Sequence, residues 1–322
     1  MKHIWLLFSL AIFTTAGQAQ VLRLAEMNSP QIAALDRQKT VVILPGGTME
    51  EHGPYLPSFT DGYMNEWWAD RLAEAVVKRS GWTAVIYPTI PLGDGGANEI
   101  GFKYTFPGTY GVRLKTLRSV YMDLGTELGE QGFRWMFIIQ NHGSPLHNFA
   151  LDQAGDFFHD TYGGQMVNLF GLEPVGSEDE ASPAAEFVKE NGIDIHAGLS
   201  ETSRILFIRP NLVDAAYSTA TPFTILNPED FSIVAARPDW LGYFGTPRRA
   251  TAAYGRHVME YRSSLMNKTA LSIVDGADPK KIKRYADQAM KEEATVVAGG
   301  LKYDASVEKK QQNWIKRKGL SW

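Results

Sequence analysis

Residues 41–61 read VVILPGGTMEEHGPYLPSFTD, and the fold turns on how this stretch is divided. Val41 to Leu44 form a short apolar run ending at Pro45-Gly46-Gly47. An apolar, β-branched run of that length, bounded by turn residues, predicts a buried strand rather than a helix. Glu50, Glu51 and His52 follow at once, with Asp61 nine residues past His52. Gly53, Pro54 and Pro57 keep the segment between them out of a helix. Oxygen and nitrogen donors therefore sit on a stiff loop at a strand's end, where open α/β folds place their sites. Carboxylate with imidazole is a ligand set for zinc, manganese or iron.

Working outward, strands and helices alternate. A lead-in strand near Val21 and a short helix after Ser29-Pro30 precede the 41–45 strand. Met64, Trp67, Trp68, Leu72, Ala75 and Val76 recur at helical spacing over 62–79, which Gly81 closes. The next elements are a strand at Ala84–Ile90, a helix at Leu114–Gly132 and a strand at Arg134–Gln140. A helix at 146–161, a strand at Met166–Phe170 and a helix around Ala184–Glu190 come after them. Between the second and third strands lies a long Gly- and Pro-rich passage, 91–111, of a length more often functional than idle. The alternation predicts a parallel or mixed sheet covered on both faces.

Two further loops carry donors: Asn141-His142-Gly143 after the 134–140 strand, and His196 with Glu201 in a turn-rich loop before Ile205–Ile208. Singly, each has a bland reading as solvated surface or a hydrogen-bonded histidine. Together they converge, because a parallel sheet gathers the carboxyl ends of its strands at one edge. Other donors fit lesser roles. His147 reads as a supporting or surface residue, and His159 and His257 as structural. Ser200 and Ser203 lack a G-x-S-x-G elbow, and GDGGANEIG at 93–101 lacks the phosphate-loop lysine.

The chain has 322 residues, 44% hydrophobic, enough for one large domain with an appendage. MKHIWLLFSLAIFTTAGQAQ has Lys2, an apolar run from Ile4 to Phe13 and small residues up to Ala19. That is the layout of a signal peptide comprising residues 1–19, too short in its apolar run for a stable membrane anchor, so the protein is expected to be periplasmic or secreted. Without it, 31 basic residues face 36 acidic ones, a net of −5 that offers no electrostatic reason to bind nucleic acid. There is no cysteine, which excludes thiolate metal sites and Cys-based catalysis. From Pro279 onward, 11 Lys or Arg face 5 Asp or Glu. This predicts a basic helical extension, 269–322, as a helix pair broken at Gly299-Gly300.

The stretch from Gly47 to Pro54, with Leu56-Pro57 and Thr60-Asp61, resembles the creatininase (creatinine amidohydrolase) family pattern G-S-x-E-Q-H-G-P-H-L-P-x-x-T-D. Asn141-His142-Gly143 partly matches the family's N-G-H motif, and His196 to Ser203 fully matches H-A-G-x-x-E-T-S; FPGT at 106–109 is also similar. The resemblance implies an α/β/α sandwich over residues 20–268, two divalent ions (Zn, Mn or Fe), and hydrolysis of a C–N bond in a cyclic or linear small-molecule amide. Carried over by motif, Glu50 and His142 bind one ion, His52 the other, and Asp61 bridges. His196 takes the catalytic proton-transfer role, and Glu201 completes the coordination or supports it. A homo-oligomer is also implied.

Three departures qualify the match. Ser144 stands where creatininase has a metal-binding Glu, so that job passes to Glu201. Glu51 replaces the family Gln. No Trp lies between Trp135 and Trp240, where the creatinine pocket has indoles, so creatinine is not the expected substrate. The competing reading is a non-catalytic binding protein that keeps the fold.

Overall fold

A computed structural model describes residues 20–104, 106–170, 187, 189–227 and 230–320. The expected signal peptide, and the helix around Ala184–Glu190, lie largely outside them. Five strands form one sheet: β1 (Val21–Arg23), β2 (Thr40–Pro45), β3 (Thr83–Ile86), β4 (Trp135–Ile139) and β5 (Gln165–Asn168). Their order is β1-β3-β2-β4-β5 and every pairing is parallel. The apolar run at 41–44 is the centre of this sheet, with Val41 opposite Trp135 and Pro45 opposite Ile139. All six residues of β2 are buried, as a strand covered on both faces requires.

Alternation along β2 divides the core. Val41 and Ile43 point to the face covered by α2 (Thr60–Val77) and α8 (Ala252–Val274), where Met64, Trp68, Leu72, Met259 and Met266 are buried. Val42 and Leu44 point to the opposite face, against Leu117 and Tyr121 of α4 (Leu114–Glu130) and Leu151 and Phe158 of α5 (Pro145–Tyr162). The result is a three-layer α/β/α sandwich. Trp68, one of the residues at helical spacing, is fully enclosed and donates its indole N–H to Met259 O at 3.0 Å.

β2 and β4 are neighbours, yet their following helices, α2 and α5, leave to opposite faces. Their carboxyl ends therefore flank the crevice of a doubly wound sheet. The smaller helices are α1 (Ser29–Ala33), α3 (Ala97–Gly101), α6 (Leu199–Ile208), α7 (Asp230–Ala235) and α9 (Tyr285–Glu292), and the chain's last helix is α10 (Ala294–Arg317). Among the described residues no helix is long and apolar enough to cross a membrane.

Two expectations are corrected here. Glu201 lies in the first turn of α6, not on a loop, and the apolar 205–208 run ends that helix, with Ile205 buried and Leu206, Phe207 and Ile208 half-buried. The break in the C-terminal helices falls at Glu293, and Gly299-Gly300 lie inside α10. Those glycines serve close approach instead. A Cβ at Gly299 would meet the Phe102 ring at 2.4 Å, and one at Gly300 would meet Glu99 Oε1 at 2.6 Å. The helix tolerates the propensity cost of about 1 kcal/mol per glycine because packing compensates.

Candidate metal centre

Glu50 and His52 leave β2 on the Gly46–Pro54 loop, and Asp61 sits in the first turn of α2, whose dipole favours a carboxylate. His142 follows β4 directly, and Ser144 accepts from His147 N as the N-cap of α5. His196 and Glu201 arrive on α6 and the turn before it, where Ala197 adopts φ 50° and Glu201 Oε2 accepts from its N–H at 2.7 Å. A left-handed alanine stores strain that the surroundings must hold. These three chain segments come together in one buried cluster.

The donors sort into groups. Glu50, Asp61 and His142 offer ligand atoms within 4.8 Å of one another, and so do His52, Asp61 and Glu201. Asp61 belongs to both. Glu50, His52 and His196 make a third such group. All these residues are buried except Glu201, whose side chain is 13% exposed.

Hydrogen bonds set the imidazoles. His52 donates Nδ1–H to Glu50 O at 3.1 Å, which turns the lone pair of Nε2 inward, 3.6 Å from Glu201 Oε2. His142 donates Nε2–H to Asp94 O at 3.0 Å, which turns Nδ1 inward, 2.9 Å from Glu50 Oε2 and 3.7 Å from Asp61 Oδ2. A backbone carbonyl that fixes the ring's outer nitrogen is the usual support of a metal-binding histidine.

Asp61 Oδ2 and His52 Nε2 are both buried with no hydrogen-bond partner. Buried polar atoms are nearly always satisfied, so orphans aimed at a common point call for an ion. Three carboxylates with two or three imidazoles make a hard-to-borderline donor set that fits Zn, Mn or Fe.

The electrostatics follow from crowding. Burial raises the Glu50 carboxyl, but His142 and His196 outweigh it and hold the group well below the usual carboxylate range. Asp61 is pushed up by burial, with Glu50 and Glu201 adding repulsion against the pull of His52 and His142. Glu201 is lowered, since His52, His196 and Arg204 overcome its burial. Burial would lower both His142 and His196, but the carboxylates around them raise these to about 9 and about 10. Without a cation the acidic cluster gathers protons on its imidazoles, where a bound ion would compete with them.

Glu51 differs in direction from its neighbours. Its Oε2 accepts from Gly53 N at 2.9 Å and its Oε1 lies 3.7 Å from His196 Nε2, so its charge faces His196 from outside the cluster. His147 is not a surface residue: it is buried, accepts from Asp94 N through Nδ1 and packs against Gln140. Burial, with His142 nearby, lowers it well below the ordinary histidine value.

Several supporting residues escaped the sequence reading. Asn141 donates to Asp61 Oδ1 at 3.1 Å and to Glu201 Oε1 at 3.4 Å, and its own Oδ1 accepts from Arg204 at 3.1 Å and Arg262 at 2.9 Å. Gln140 Oε1 accepts from Asn141 N, His142 N and Asn65, pinning the turn after β4. The polar pair Gln140-Asn141 at a strand's end was the available signal. Beyond them, Asp94 and Glu99 are raised to about 9 and about 7, in each case chiefly by burial; Asp94 is also repelled by Glu99.

A sequence profile of creatininase, described as creatinine amidohydrolase, matches residues 25–268. The chain belongs to the creatininase family. It is thereby an amidohydrolase acting on carbon–nitrogen bonds. Among curated relatives, the mycofactocin precursor peptide peptidase of Mycolicibacterium smegmatis is 27% identical over 221 residues, 68% of this chain and 79% of its own. Creatinine amidohydrolase of Pseudomonas putida is 26% identical over 227 residues, 68% of this chain and 84% of its own. The creatininase crystal structure superimposes with a TM-score of 0.62 at 20% identity, covering 80% of this chain and 99% of that one. A manganese form and a Zn–Zn mutant form of creatininase share the fold at 19% identity, with TM-scores of 0.56 and 0.57. Each covers 85% of this chain, and 99% and 98% of its own. Helices α9 and α10 lie beyond the matched residues of the family profile.

Proposed function

We propose that this creatininase-family protein binds two divalent ions (zinc, manganese or iron) and hydrolyses a cyclic or linear amide with metal-activated water. The observation that carries the reading is that Asp61 is shared by two ligand groups, Glu50/Asp61/His142 and His52/Asp61/Glu201. Ions held there would supply Lewis acidity, bringing the pKa of water toward about 7 and polarising the amide carbonyl. The manganese and Zn–Zn forms of creatininase support the choice of metals.

The chain's own residues do the remaining work. Asn141, anchored by Arg204 and Arg262, orients the carboxylates of Asp61 and Glu201. His196 is held by its Nε2–H bond to Glu51 O at 2.8 Å, with Nδ1 3.6 Å from Glu50 Oε1. From that position it carries a proton to the departing nitrogen. Burial of the donors excludes bulk water and strengthens these interactions.

Creatinine does not fit this reading. Trp240, the first indole after Trp135, is buried against Phe106 and Phe244 and donates to Tyr243 O, a structural role. A relative named for cleaving a precursor peptide widens the substrate class to open-chain amides. We further read residues 1–19 as a removable export signal, 20–268 as the hydrolase domain, 269–322 as its extension, and the assembly as a homo-oligomer. Elemental analysis of protein purified without chelators should find close to two ions per chain, with turnover of a subset of an amide and lactam panel. A chain that binds no metal and hydrolyses the same amides equally well as Asp61→Ala would overturn the reading.

A further inference from the structure

Beside the metal centre lies a cavity of about 520 Å³ that the catalytic assignment leaves unused. One wall is the Asp94–Glu99 segment; the other is α10, through Gly300, Tyr303 and Asp304. This second wall lies wholly beyond residue 268, where the family match stops. The cavity adjoins the chemistry directly. The carbonyl of Asp94 holds His142, and a Cβ at Gly96 would stand 3.0 Å from Glu50 Oε1.

The walls have one chemical character. Asp94 is 4% exposed and its Oδ2 has no hydrogen-bond partner. Glu99, 3% exposed, spends Oε2 on the Ser144 hydroxyl at 3.0 Å, and Asp304 Oδ2 accepts from Leu114 N at 3.0 Å. The cation among the lining residues, Arg113, is already engaged by Glu308 and Gln311 of α10. Tyr104 and Tyr303 stack at 4.1 Å with their planes 6° apart. Carboxylates with aromatic faces suit an organic cation, through charge and cation–π attraction. A further metal ion is disfavoured, because no metal-spaced group among the described residues includes Asp94, Glu99 or Asp304.

We propose that this cavity is the recognition subsite for a protonated amine carried by the amide substrate, with the Asp94, Glu99 and Asp304 carboxyls as its acceptors and α10 as its outer wall. The proposal rests on the amidohydrolase reading and deepens it from "an amide" to an amine-bearing amide. The C-terminal extension then acts as a specificity element joined to a family catalytic domain, and Gly299-Gly300 are the positions that let it seat close to Glu99.

The test is calorimetry on the full-length, metal-loaded protein with 1,5-diaminopentane, against 1,5-pentanediol as its neutral isostere. The diamine should bind at least tenfold more tightly than the diol. Asp94→Asn and Asp304→Asn should each weaken the diamine severalfold or more, with Asp304→Asn at unchanged metal content and melting temperature. Asp304, on a partly exposed helix, serves if Asp94→Asn fails to fold. For any amide that is cleaved, Asp304→Asn should raise KM for amine-bearing members over neutral ones and leave kcat alone. Equal affinity for diamine and diol, or diamine binding undiminished in the folded variants, overturns the subsite. Neither outcome touches the two-ion reading, which metal analysis decides separately.

Discussion

His196 donates its Nε2–H to the main-chain carbonyl of Glu51 at 2.8 Å, and this one bond aims its Nδ1 at Glu50. The Glu51 carboxylate, 3.7 Å from the same nitrogen, strengthens the imidazolium without entering the ligand groups. The ring is thus held from outside the cluster, and the proposed function makes it the proton donor.

His196→Ala should therefore keep most of its bound metal and lose turnover by about 10²–10⁴-fold, the usual worth of a positioned acid or base. Metal analysis beside kinetics checks it. Loss of both ions together would instead make His196 a ligand, through the Glu50/His52/His196 group.

Asn141→Ala removes the amide that ties Asp61 and Glu201 to Arg204 and Arg262. Metal affinity should fall about 10–100-fold, the range for residues that orient ligands, with circular dichroism unchanged. Competition with a chromophoric chelator measures it.

Proton release should accompany metal uptake. In the ion-free protein the carboxylates of Glu50 and Asp61 outweigh burial and hold His142 up at about 9, above the ordinary histidine value. A raised folded-state pKa contributes stability that is complete below the unfolded value of about 6.5 and is lost as pH rises through about 9. Ion binding must displace that proton below pH 9, so apparent affinity should climb between about pH 7 and 9. Titrating chelator-stripped protein in weak buffer with a pH indicator would register the protons.

A second pH effect lies away from the site. Asp152 of α5 is buried, and burial raises it to about 7 although Arg284 pulls the other way. Its Oδ2 has no hydrogen-bond partner. The unfolded chain ionises this group near 3.8, so its contribution to stability falls as pH rises from about 4 to 7 and then levels. Asp152→Asn should stabilise the protein at pH 8 by on the order of 2 kcal/mol and do little at pH 4. Denaturant melts at both values test the difference.

Gly300→Ala would place a methyl 2.6 Å from Glu99 Oε1 and 2.7 Å from Leu146. Although alanine favours helix, overpacking should win, with a loss of about 1–3 kcal/mol and looser protection of α10 in hydrogen exchange. Gly319→Ala, beyond the helix and with no atom within 4 Å, controls for the backbone change, where its φ of 66° alone predicts mild strain.

Much of this was readable in the chain because it is local. The 41–45 strand declares itself by a buried run stopped at Pro45, and the turn chemistry after it excludes a helix around His52. Which donors meet was also legible, since a parallel sheet sends successive strand ends to one edge. What stayed hidden depends on distant partners. Glu201 was placed on a loop because HAGLS reads as turns, whereas α6 starts at Leu199 with its stripe packed on α2 and α8. Gly299-Gly300 looked like a helix break because their close approach to Phe102 and Glu99, some 200 residues earlier, leaves no trace in local propensity. The support by Asn141 was invisible for the same reason, since its partners span residues 61 to 262.

The docking of α10 also bears on the order in which the molecule is made. Every candidate metal donor among the described residues precedes residue 202, and of the groups that orient them Arg262 comes from the last third of the chain. Gly299, Tyr303 and Asp304 come within the final 25 residues, and their contacts with Phe102, Tyr104 and Leu114 are among the longest loops the chain closes. Such closures come late in folding. The wall over Asp94 is thus the last part of the cavity to arrive, and the pocket takes its shape only when the chain is whole.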